Sequence, residues 1–138
     1  MRFLRPFSQS DVVPASDFEL ALSIKVTQTR VGEGECERFA GRPGISSQVK
    51  AARRQDQKAS GTEFATQMKK MGFTVSVVDD TPKLWCAMLT PPATMGSAQL
   101  FQCRALTEGH YIEVKAMGPN MTREKAKDLV ARVSARLP

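Results

Sequence analysis

The chain of 138 residues is poor in several residue types that chemistry leans on: it has one histidine, one tryptophan, one tyrosine and three cysteines. One histidine and no C-x-x-C pair cannot complete a four-ligand zinc set, so no metal and no cofactor is expected. No G-x-x-x-x-G-K-[ST] or G-x-G-x-x-G stretch occurs, and Pro43 removes an amide from "GRPGISS", which argues against a phosphate cradle and so against nucleotide enzymes. No apolar run approaches the roughly 20 residues of a spanning helix. Pro6 and Ser8 interrupt "MRFLRPFSQS" before a hydrophobic region develops, so it does not read as a signal peptide.

What is present fits one α+β domain over 1–138, with 1–16 extended or poorly ordered. The net charge is +6, and it is uneven. Residues 41–72 hold seven basic and two acidic groups, and 121–138 hold five and two, while the two other stretches each sum to −1. Such a surface favours an acidic partner through long-range steering.

"DFELALSIKVTQTR" alternates, with Phe18, Leu20, Leu22, Ile24 and Val26 on one side, and predicts an N-terminal strand over 17–28. Residues 31–60 read as loop and basic segment, in which "ISSQVKAARRQDQKAS" is an exposed helix or a basic loop, with the helix preferred. Ser60 and Glu63 have capping-box spacing, Phe64, Met68 and Met71 recur at i, i+4 and i+7, and Gly72 sits at a C-cap position, so a helix spans about 61–71. A second, over about 122–136, carries the stripe Ala126, Leu129, Val130, Val133 and Leu137 behind Asn120 or Thr122 as cap. "NMT" at Asn120 matches a glycosylation sequon, but the helix start explains those residues.

Four apolar segments, 73–78, 83–90, 98–106 and 111–117, are separated by turn chemistry and predict an antiparallel meander. Pairing Val78 with Lys83, Thr90 with Gln99 and Leu106 with Tyr111 puts Val75, Cys86, Cys103 and Val114 in one apolar row. The result is a two-layer sandwich with both helices on that face. In order of elements, residues 60–138 resemble the Mog1/PsbP-like group of small α+β proteins, which includes bacterial envelope and secretion accessory proteins; no site residue follows from that resemblance.

Under this register Cys86 and Cys103 are direct cross-strand neighbours, close enough for a disulfide, and two buried thiols are the other option. A bridge would imply an oxidising, periplasmic or secreted setting, and free thiols a cytoplasmic one. Cys36 lies among Glu33, Glu35 and Glu37, which disfavour its thiolate and make it a poor nucleophile.

On the other sheet face Trp85, Arg104 and Glu113 form a row with Tyr111 nearby, and tryptophan and arginine are the residue types most enriched at interface hot spots. Lys50, Arg53, Arg54 and Lys58 would make one basic stripe if helical, able to meet an acidic protein or, as an alternative, nucleic-acid phosphates. His110 in "TEGH" and the adjacent Asp79 and Asp80 are the residues a small enzyme would use, each with an ordinary turn role as the competing explanation. No catalytic residue is assigned, and a non-enzymatic protein-binding module is the expected function. It would be of a bacterial envelope, secretion-accessory or toxin-neutralising (immunity-type) kind.

Overall fold

The computed structural model describes residues 13–32, 35–40, 46–53, 61–96, 98–107, 110–118 and 121–137. In chain order the elements are α1 (Ala15–Leu22), β1 (Gln28–Gly32), β2 (Glu35–Phe39), β3 (Ser46–Arg53), α2 (Gly61–Lys70), β4 (Thr74–Asp80), β5 (Leu84–Thr90), β6 (Gln99–Thr107), β7 (His110–Gly118) and α3 (Arg123–Arg136). A short 3₁₀ turn, Ala93–Met95, joins β5 to β6. The seven strands form one antiparallel sheet in the order β1-β2-β3-β7-β6-β5-β4, so the class is mixed α+β. No helix among the described residues is long and apolar enough to cross a membrane.

The expected strand over 17–28 is instead α1 followed by an extended lead into β1. Its alternation is also half of a helical pattern: Phe18, Ala21 and Leu22 are buried at i, i+3 and i+4, while Leu20 is 66% exposed. Ala, Glu and Leu favour the helix, and β-branched residues begin only at Ile24. The helix stops at Ser23, whose backbone is left-handed (φ 56°) and whose N–H donates to the Glu19 carbonyl. The Glu19 carboxylate then accepts from the Val26 N–H at 2.9 Å and aims the chain into β1.

Residues 31–60 are not simply loop, because they contain β2 and β3. In β2 the buried positions are Cys36 and Arg38, between half-buried Glu35, Glu37 and Phe39. Arg38 is accommodated because its guanidinium donates to the Val13 carbonyl at 2.9 Å and lies 5.7 Å from the centre of the Phe18 ring.

The meander's second and third registers are as expected: Cys86 faces Cys103, and Cys103 faces Val114. The first differs. The turn is Thr81–Leu84, with the Thr81 hydroxyl accepting from the Leu84 N–H, so Asp79 faces Cys86 and Asp80 faces Trp85. A β-bulge between Val77 and Asp79 then inverts the rest of β4, so that Val75 faces Leu89 instead of Cys86.

That inversion goes with a second correction, for the helices do not share a face. α1 and α3 cover one side, where Phe18, Leu22, Ala126, Leu129 and Val133 join Cys86, Phe101, Cys103, Ile112 and Val114 in the main core. α2 lies on the reverse, over β4 to β6, where Phe64, Ala65 and Met68 meet Trp85, Ala87 and Leu89. The arrangement is therefore three-layered. α3 is capped by Thr122, whose hydroxyl accepts from the Lys125 N–H at 3.2 Å. Asp17 ties α1 to α3, accepting from Arg132 at 3.1 Å and from Arg136 at 3.0 Å.

Candidate functional site

Trp85 is not a surface residue. It is 7% exposed beneath α2, with the Phe64 ring edge-on at 6.0 Å between centroids. α2 comes so close that a Cβ on Gly61 would overlap the indole ring, which explains the glycine in the helix's first turn. The Arg104 guanidinium lies 4.2 Å from the centre of the Phe64 ring. The expected contact surface is thus closed at its aromatic end by the chain itself.

Its charged end is a network. By register Arg104 faces Glu113 across β6 and β7. Glu113 receives the Tyr111 hydroxyl at 2.9 Å and the Lys115 ammonium at 3.1 Å, with Arg104 at 3.9 Å. Burial alone would raise the Glu113 carboxyl, but the Lys115 charge, the hydrogen bonds from Tyr111 and Lys115 and the Arg104 charge outweigh it and hold it below the ordinary range. Burial, followed by the Glu113 charge and hydrogen bond, pushes the Tyr111 phenol well above its usual value. A phenol held so firmly protonated is a donor that fixes Glu113 and not a base.

Beside this network lies a recess of about 180 Å³, lined by Gly61, Thr62, Asp80, Trp85, Arg104 and Tyr111 together with the 81–84 turn. A second recess, of about 260 Å³, lies on the same sheet side beyond α2, lined by Glu37, Ser46, Leu100, Lys115 and Met117 with Ser47 and Ala116. Here Arg30 and Met117 are exposed and Lys115 is half-buried, and Arg30 pairs with Glu37 at 4.0 Å while lying 5.6 Å from the Phe39 ring.

The helical basic stripe does not form as expected, since Lys50 and Arg53 belong to β3, where positions three apart lie on opposite faces. Arg54 and Lys58 lie outside the described residues. Asp79 and Asp80 are adjacent strand positions, one facing Cys86 and the other Trp85, so they are not a carboxylate pair. His110 opens β7 opposite Thr107 and Arg53, three strands from Asp79, too far for the two to act together. Among the described residues no group of three or more His, Cys, Asp or Glu side chains converges as a metal site.

Cys86 and Cys103 have their sulfurs at bonding distance, with Cα atoms 4.1 Å apart, under α3 in the main core. Cys36 is a buried free thiol. Ser46, Leu100 and Met117 were not anticipated as surface-site residues, because β3 was read as loop or helix and its pairing with β7 was invisible. No protein-family model matches this chain, and the curated proteins include no match to it.

Proposed function

We propose that this chain is a non-enzymatic module that binds another protein, of acidic character, on the outer sheet face beyond α2, around exposed Arg30 and Met117. One observation carries the reading: α2 packs on the β4 to β6 part of that face, and beside it a recess with apolar walls, Leu100 and Met117, is rimmed by Lys115, Glu37 and Ser46. Apolar side chains set in a polar rim are what a partner's anchoring residue requires. The net charge of +6, concentrated in 41–72 and 121–138, supports encounter with an acidic partner through long-range steering of the whole molecule. The Cys86–Cys103 bridge supports an oxidising compartment, periplasmic or extracellular. Envelope, secretion-accessory and toxin-neutralising proteins are the classes this reading covers.

A photo-crosslinking residue at Met117, compared with one at exposed Leu20 on α1, tests it. A discrete protein adduct from position 117, absent from position 20 and lost with Lys115→Glu, supports the docking face. Equal adducts at both positions, or a complex with nucleic acid alone that dissolves with added salt, would refute it.

A further inference from the structure

We propose that α2 is a hinged cover, which swings away from the sheet as a unit while the rest of the fold stays intact and so exposes Trp85. This motion belongs to the free chain and does not depend on the docking face proposed above.

The apolar residues fall into two clusters on opposite sides of the sheet. The larger contains the disulfide and the buried residues of α1 and α3. The smaller has only Trp85, Ala87 and Leu89 fully buried, and α2, which covers them, buries none of its own residues. A helix whose inward residues Phe64, Ala65 and Met68 are only half-buried gains less from docking than α1 or α3 does, and elements with few buried apolar contacts open first. Because the clusters are separated by the sheet, lifting α2 leaves the main core closed.

The chain has a joint at the right place. Gly72, immediately after α2, is left-handed (φ 93°), a conformation glycine adopts without strain, and β4 begins two residues later. At the other end of α2 the recess of about 180 Å³ between Gly61 and the 81–84 turn leaves the helix start incompletely packed. What holds the cover shut is the Phe64 ring, between the indole of Trp85 and the guanidinium of Arg104. Arg104 is also paired with Glu113, so it stays on the sheet when Phe64 leaves, and the open state presents an indole beside a fixed cation.

Hydrogen exchange in graded urea and acrylamide quenching of Trp85, the only tryptophan, read the motion directly. The amides of 65–71 are expected to exchange roughly 100-fold faster than the protected amides of β6 and β7, and through an opening with little urea dependence. Gly61→Ala, which favours helix but cannot fit against the indole, is expected to raise quenching several-fold while β6 and β7 keep their protection. Exchange of 65–71 only together with β6 and β7 would overturn the cover. So would quenching in Gly61→Ala that stays at the wild-type level. If that variant fails to fold, the wild-type exchange pattern decides alone.

Discussion

Cys36 stands in the same cross-strand row as Cys103, with Val49 and Val114 between them. Three strand spacings separate the two, about 14 Å. Thiol–disulfide exchange needs sulfur to meet sulfur in line, so Cys36 cannot attack the bridge while the sheet is intact. All three cysteines are also buried. A thiol reagent should therefore label nothing in the native protein and one cysteine per chain after denaturation without reductant, as counted by mass spectrometry. Two or three labels after denaturation would mean that the bridge is not formed.

The bridge closes a loop with a sequence separation of 17. Constraining a loop of that size in the unfolded chain contributes about 3 kcal/mol. Replacing both cysteines by alanine should lower the unfolding free energy by about that amount, seen as a shifted urea midpoint with a largely unchanged slope. An unshifted midpoint would show that the crosslink contributes no net stability.

Asp17 has a side chain only 5% exposed and two arginine partners, Arg132 and Arg136, on α3. Asp17→Ala removes the acceptor of both and the tie between the first and last helices, and should cost about 2 kcal/mol. Arg132→Gln should cost less, because Arg136 still neutralises the buried carboxylate. A double-mutant cycle should show strong non-additivity between positions 17 and 132.

Acid and alkali should both weaken the same strand, through different residues. The Glu113 carboxyl is depressed in the fold, so its contribution is present above the unfolded carboxylate range and is lost as pH falls through the lower folded value. Glu113→Gln should accordingly flatten the stability profile below about pH 5. The Tyr111 phenol is raised, so its contribution is present below the unfolded value of 10.0 and is lost as pH climbs through the higher folded one. As the only tyrosine, it should show no tyrosinate absorbance at about pH 11 unless the chain unfolds.

Legibility in the sequence followed how local the information was. The β5-β6 and β6-β7 registers could be read because each depends on one turn and on an apolar face that a slip would turn to water, and the Cys86–Cys103 pairing came with them. The β4 register was hidden by the Val78 bulge, which no pattern of period two contains. α1 was misread because a stretch with apolar residues at 18, 20, 21 and 22 satisfies both periods, and only packing on Arg38 and α3 chooses between them. β2 and β3 escaped because their inward side is made of Cys36, Arg38, Ser47 and Val49, a mixed set whose partners lie on distant elements. The same non-local cause moved the candidate surface. Trp85 was placed on the correct sheet face, but the helix that covers it could be assigned to that face only from three-dimensional packing.

The bulge has one more effect. β4 is an outermost strand, and a flat outermost strand invites its counterpart on a neighbouring molecule to extend the ladder. At Val78 the ladder loses its regular spacing, and Asp79 and Asp80 follow at once with two carboxylates. Growth of fibrils by stacking molecule upon molecule at this margin is disfavoured by geometry and by charge. A straightened variant lacking those acids should aggregate more readily in a turbidity assay.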